Sequence, residues 1–372
     1  MVTKNSFQGL VDKLKQYHQS TGVPYTPQTS VVSRLFPGQF NYCLDEQNLA
    51  DKYPDLVHIT EDEHFHKIQP AIRLADFFNQ YSNQTTKTDH LGLFTLSTLS
   101  GCHVVPKEQG ATFYEQAVQG VIAFLTETGL DPARLKITYF GGATAKDVEM
   151  SRKKPGQEGK VLADHYLEKD DLAEAAWVRS GLAKEQLAVV HTRDNFLTTN
   201  WDVMLGPWGY RNEILYQLKD GRWLDLGTIE RLILYPTVEE RPAPQGMAKY
   251  VTGVNPWNRT VIIDAVGLER LLLAIEDKQS IFETSLLQPL VDTGQTLQDI
   301  ESVRMLHRIF TDATWDGLQS RQRKAKANKI MTAIDGLPPE KIKIPLQIPA
   351  EQYEYLFPEL KNGIERASRT TC

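Results

Sequence analysis

Residues 260–276 read TVIIDAVGLERLLLAIE, and this stretch decides the fold. The β-branched, apolar run up to Val266 is written for a strand. Gly267, Leu268, Glu269 and Arg270 follow directly and open a leucine-rich helix. A strand that passes straight into a helix brings unpaired helix N-terminal N–H groups to the end of a sheet, where they favour an anion. Just upstream, residues 213–236 (EILYQLKDGRWLDLGTIERLILYP) read as a hairpin turned at Lys219, Asp220 and Gly221,. A Pro-rich stretch, ERPAPQGM, is expected to form the loop between that hairpin and the strand of residues 260–266,.

Outward from this centre the elements are mixed. Residues 6–19 predict an amphipathic helix with Phe7, Leu10, Val11, Leu14 and Tyr17 on one face,. HKIQPAIRL and HLGLFTLSTLS predict a pair of strands separated by a polar loop,. A helix over 108–129, ended by Gly129, leads to the strand LKITYF at 135–140, and a short helix over 171–183 carries Trp177. From about 283 the chain turns mostly helical and more basic, which places a boundary near residue 280: 1–280 as one domain and 281–372 as a helical one. Hairpins and helices interspersed without regular βαβ alternation predict an α+β class. The glycines spell neither GxGxxG nor GxxxxGK[ST], so a nucleotide site would have to be built another way.

Composition narrows the field. The 372 residues carry a formal net charge of −6, which gives no global positive field for nucleic acid,. Three cysteines without CxxC spacing argue against zinc and against a disulfide framework,. The N-terminus lacks an apolar signal core, and no apolar run of about 18 residues predicts a membrane span, so the cytoplasm is the expected location.

Four segments, taken in order, resemble the catalytic domain of class II aminoacyl-tRNA synthetases, the alanyl type in particular. IQPAIR, followed by DHLGLFTLSTLSGCHVVPKE, is similar to that family's motif 2; Arg73 matches its arginine and Phe94 its adenine-stacking phenylalanine. GLDPARLKITYF, with EAAWVRSGLAKEQLAVVHTRDNF, follows the family's order, and Trp177 matches a tryptophan walling the amino-acid pocket. GPWGYRNEILY (206–216) resembles GPCGPCSEIYY, with Gly206 at its head and Glu213 aimed at the ligand. TVIIDAVGLER resembles motif 3, with Gly267 close to the nucleotide and Arg270 on its γ-phosphate or adenine side. The resemblance implies an antiparallel sheet flanked by helices with a C-terminal helical subdomain. It also implies ATP, Mg²⁺ and a small, alanine-like amino acid as ligands, with no resident protein-bound metal centre. Taken one at a time, each residue has a plainer reading: a strand-end arginine paired with a surface acid, a core tryptophan, a buried structural glutamate.

The pocket departs from the family. Its ammonium-binding carboxylate falls at Ile263, with Asp264 one residue later, and DLGTIER places Gly227 and Thr228 where the family has an aromatic and an amide. Substrate contacts are therefore expected from Trp177, Thr228, Asp264 and Gly206. LHRIFTDATWDGLQSRQRKAKANKIM faintly resembles the start of a tRNA-recognition domain, through His307, Asp316 and Gly317. No editing or C-terminal dimerisation segment is recognisable. Three functions remain open at this point: amino-acid activation for an acceptor outside translation, such as a small molecule or carrier protein; a minimal alanyl-tRNA ligase, supported by the basic run Arg321, Arg323, Lys324, Lys326 and Lys329; and a catalytically inactive binding or regulatory paralogue. HITEDEHFH, with His58, His64 and His66, reads first as a solvated strand edge or loop and second as a metal site,.

Overall fold

A computed structural model describes residues 6–31, 58–73, 91–151, 153, 159–198, 206–243, 246–312 and 346–364. In chain order the elements begin with α1 (Ser6–Thr21), β1 (Glu63–Phe65), β2 (Ile68–Ile72), β3 (Leu93–Ser97), β4 (Cys102–Pro106) and α2 (Gly110–Glu127). Next come β5 (Leu135–Phe140), β6 (Ala143–Thr144), α3 (Ala145–Met150), β7 (Tyr166–Leu167), α4 (Asp171–Arg179), β8 (Leu187–Val190) and β9 (Phe196–Leu197). The long strands β10 (Trp208–Gln217), β11 (Trp223–Ala243) and β12 (Gly246–Gly267) follow, then α5 (Leu268–Glu276), α6 (Gln288–Val291), α7 (Leu297–Thr311), α8 (Gln347–Gln352) and α9 (Glu359–Asn362).

One large sheet runs in the order β1-β4-β12-β11-β10-β5-β8. The β2–β3 hairpin joins it where β3 pairs with Val266 and Gly267 at the end of β12. Pairing is antiparallel throughout this path except between β5 and β8. The fold is α+β: a mostly antiparallel sheet flanked by helices, with further helices towards the C-terminus.

The two faces of the sheet differ because the strands alternate. On β10, Asn212, Ile214 and Tyr216 turn one way and are buried, while Arg211, Glu213 and Leu215 turn the other and are half-exposed. Ile229 on β11 and Ile262 and Val266 on β12 continue the buried side. Against it pack α1 through Phe7, Leu10, Val11 and Leu14, α2 through Val118, Val121 and Phe124, and α5 through Leu268, Leu271 and Leu272. Each such leucine contributes about 1.5–3 kcal/mol by leaving water. Ile300, Leu306 and Phe310 of α7, with Tyr353 and Phe357 beyond α8, belong to the same cluster. Residues on both sides of position 280 thus share one core.

Two local irregularities shape the other face. Between β10 and β11 the register shifts at Ile214/Leu215: Ile214 pairs with Gly227 and Leu215 with Asp225, leaving Leu226 as a bulge. The bulge turns Asp225 onto the side of Glu213. At Gly227 a Cβ would lie 2.1 Å from the Ala265 carbonyl oxygen, so only glycine lets β11 and β12 come this close,. The stretch ERPAPQGM does not form a loop of its own; β11 continues to Ala243 and β12 starts at Gly246. Beyond Leu234, β11 pairs only with β12 among the described residues. Pro236 and Pro242 therefore deprive no other neighbour of a hydrogen bond.

Candidate active site

The half-exposed face carries the polar residues of three adjacent strands in rows. Thr138, Glu213, Thr228 and Ala265 face one another across β5, β10, β11 and β12. Arg211, Glu230 and Ile263 form the next row. Beyond the opposite end of the face, Asp225 meets the buried Arg270, which lies over Phe94, a buried member of the main core.

Arg270 is the hinge of that end. It leaves the first turn of α5, its guanidinium lies 4.7 Å above the Phe94 ring centre, and it donates to the Asp225 carboxylate and, at 3.2 Å, to the Asp225 carbonyl oxygen. Position and charge are thus fixed together by a cation–π stack and an ion pair. The neighbouring Glu269 does a different job. Its carboxylate accepts from the Thr95 N–H and hydroxyl, at 2.8 Å each, and from the Tyr353 hydroxyl at 2.9 Å. Glu269 therefore ties α5 to the β2–β3 hairpin that presents Phe94. Behind that hairpin, Glu301 of α7 accepts from the Gly92 N–H at 2.6 Å and pairs with buried Arg304.

Arg73 follows β2 directly, and its N–H bonds to the Gly92 carbonyl at 2.8 Å. Phe94 pairs with Ala71, so Arg73, two residues on, sits at a register position on the Phe94 face of the hairpin,. Gly267 is the N-cap of α5, with an ordinary φ of −80°. A Cβ there would approach no side chain nearer than 3.7 Å, so packing within the protein does not require glycine at this position.

Glu213 has the most perturbed chemistry on this face. Burial, and then the negative charge of Asp225, push its carboxyl up to about 8, opposed by Arg211. Asp225, the second of these carboxylates, is paired with Arg270. No group of three or more metal-ligating side chains exists among the described residues. The Glu213–Asp225 pair suits an ion that takes most of its ligands from phosphates and water, as Mg²⁺ does.

Two expected substrate residues lie elsewhere. Trp177 is fully buried on the helix-covered side, where its Nε1 donates to Asn212 Oδ1 at 3.0 Å. Asp264 is also fully buried on that side, and its two oxygens accept from the Leu99 and Ser100 N–H groups at 2.6 Å each. Burial pushes its carboxyl up to about 6 against those hydrogen bonds. One step along a strand reverses the face, so Asp264 braces the core behind β12 and is turned away from Glu213. Thr228 stands on the open face opposite Glu213, and Gly206 is buried just before β10. Sequence reasoning passed over Asp225, Arg211 and Glu230. The period-2 parity of Arg211 with Glu213 signals its face, whereas nothing in the sequence marks the bulge that exposes Asp225.

The histidines do not converge on one point. His64 and His103 meet Nδ1 to Nδ1 at 2.9 Å, whereas His66 stacks on His18 with ring centres 4.1 Å apart. His307 is buried and bonds to the Leu360 carbonyl. Asp316, Gly317 and the basic run 321–329 lie outside the described residues.

Comparison with known proteins shows what the chain is similar to. Over 198 residues, 51% of its length, the chain is 28% identical to an alanine–tRNA ligase of Porphyromonas gingivalis. The chain is similar to aminoacyl-tRNA synthetases. The match spans 20% of that relative's own length. Solved structures of similar shape include the RNA-binding domain of threonyl-tRNA synthetase from Cryptosporidium parvum Iowa II, at 13% identity. That likeness covers 73% of this chain and 64% of the other, with a TM-score of 0.41. Apo S. aureus histidyl-tRNA synthetase is another, at 10% identity, covering 77% and 73%, with a TM-score of 0.40. No protein-family model matches the chain. Among the described residues no helix is long and apolar enough to cross a membrane.

Proposed function

We propose that the protein activates a small amino acid with ATP, forming an aminoacyl-adenylate and releasing pyrophosphate. A substrate carboxylate oxygen attacks the α-phosphorus in line. The bond from that phosphorus to the bridging oxygen of the β-phosphate breaks, and its electron pair leaves with pyrophosphate. The observation that carries this reading is the Phe94–Arg270–Asp225 assembly at the end of a sheet whose open face also holds Glu213 and Thr228.

Each group has a physical part. The base inserts between the Phe94 ring and the Arg270 guanidinium, exchanging one stack for two. Gly267 leaves room for the nucleotide against the start of α5, whose free N–H groups favour phosphate oxygens. Arg73, from its place on the Phe94 face, grips the α-phosphate and the attacking carboxylate and offsets the charge that grows between them. Glu213 and Asp225 are the residues that would hold Mg²⁺, which would supply neutralisation of the triphosphate charge. No side chain needs to act as a covalent nucleophile; positioning and charge neutralisation suffice.

The acceptor in this reading is a small molecule or carrier outside translation, because the amino-acid end of the face differs so much from the resembled pocket. The likeness to an alanine–tRNA ligase supports a second reading, in which the acceptor is tRNA. ATP–pyrophosphate exchange screened across the amino acids tests the first half-reaction. Exchange is expected with one or a few small amino acids, falling at least ~100-fold in Arg270→Ala, the scale of losing one charge-stabilising group. Absence of exchange with every amino acid favours the inactive binding subunit.

A further inference from the structure

The adenylation reading leaves the substrate ammonium without a partner, and the inference below rests on that reading. An amino acid binds as a zwitterion. Removing its ammonium from water without a carboxylate to receive it is too costly to be useful. Asp264 cannot serve, since both its oxygens are engaged on the helix-covered side of β12. Ile263, its neighbour on the open side, offers only hydrocarbon.

Among the described strand residues, Asp225, Glu213 and Glu230 put carboxylates on this side of the sheet, and Asp194 adds its charge near Glu213. Asp225 is held by Arg270 at the nucleotide end. Glu213 lies in the middle row and Glu230 in the row beyond it, directly across from Ile263. Two residues along a strand is about 7 Å, the reach from an amino acid's reacting carboxylate to a partner beyond its ammonium. Glu230 is nine-tenths buried, and among the described residues its partner is Arg211 on the neighbouring strand. Arg211 Nε and Nη2 both bond to the same oxygen, Oε1, at 2.8 and 2.7 Å. The second oxygen, Oε2, receives no donor from the described residues, and a carboxylate has lone pairs to spare after one guanidinium.

We infer that Glu230, aligned by Arg211, receives the α-ammonium of the substrate. The substrate is an α-amino acid whose small, uncharged side chain lies against Thr228 and Ala265, the half-buried residues across from Glu213. Arg211 is a positioning residue: it fixes Oε1 of Glu230, leaving Oε2 for the ligand.

The test uses the full chain in ATP–pyrophosphate exchange, with Glu230→Gln and Arg211→Lys compared to wild type. Glu230→Gln keeps the shape and removes the charge. The inference expects the amino-acid KM to rise at least ~100-fold, the loss of a buried charge-assisted bond, with the ATP KM changed less than about twofold. Arg211→Lys should raise the amino-acid KM about tenfold, because lysine cannot hold the carboxylate through a fork. Two inhibitors separate this role from general damage. The amino alcohol of the preferred amino acid keeps the ammonium and should lose affinity for Glu230→Gln, whereas the deaminated carboxylic acid should bind wild type and variant alike. An unchanged amino-acid KM in Glu230→Gln, or equal losses for both inhibitors, overturns the inference alone. No exchange by the wild-type chain with any amino acid overturns the adenylation reading, and the inference falls with it.

Discussion

Glu213 shows at the scale of one residue how the site trades stability for function. Its carboxyl titrates near 8 in the folded chain, against 4.5 for an ordinary glutamate, because of burial and Asp225. A carboxyl whose pKa rises on folding supports the fold fully below its unfolded value. That support is lost as pH climbs through the folded one. The wild-type melting temperature should therefore fall more steeply between pH 5 and 8.5 than that of Glu213→Gln, and the variant should be the more stable at the alkaline end. Differential scanning fluorimetry across this range checks it, and parallel curves would show that Glu213 is not the group responsible. Magnesium with ATP should reverse the ranking, since the ionised carboxylate then has its cation.

At the scale of elements, the site depends on one irregular step in an otherwise regular hairpin. Leu226 is the extra residue that turns Asp225 towards Arg270. Asp225→Asn keeps the bulge and removes the charge that it presents to Arg270. The expected outcome is a folded protein whose ATP KM rises at least tenfold; an unchanged value would mean that Asp225 has no part in the nucleotide end. The same irregularity marks what a single sequence can carry. The amphipathic face of Phe7, Leu10, Val11 and Leu14, the strand 135–140, the Gly221 turn and the run from Val266 into Leu268 were all legible, because period and turn chemistry act locally. Which way Asp264 and Trp177 point was not, because a strand with an acid beside isoleucines does not declare its buried side until its neighbours are known. The distal part of the β11–β12 hairpin was read as a proline-rich loop for a similar reason: a proline is tolerated in a strand paired on one edge alone, and a single sequence does not reveal which strands those are.

At the scale of the whole molecule, the C-terminal helices are part of the core that supports the site. Ile300, Leu306, Phe310, Tyr353 and Phe357 share a hydrophobic cluster with the sheet. Glu301 and Tyr353 also bond to the hairpin and to Glu269, so the frame around Phe94 is held from both sides. A chain ending at residue 280 should lose several large buried side chains, at about 2–5 kcal/mol each, more than a typical domain's margin. It is expected to be insoluble or molten, visible as lost near-ultraviolet dichroism. A cooperative unfolding transition in that fragment would contradict the shared core.

If this face joins an amino acid to AMP, the products of a single incubation reveal it. The protein is mixed with ATP, Mg²⁺ and a pool of small amino acids, quenched in acid, and its nucleotides are resolved by mass spectrometry. The account predicts AMP, pyrophosphate and an enzyme-bound mass equal to an aminoacyl-adenylate, all absent without amino acid. ADP and phosphate as the products, or unaltered ATP with every amino acid offered, would contradict it.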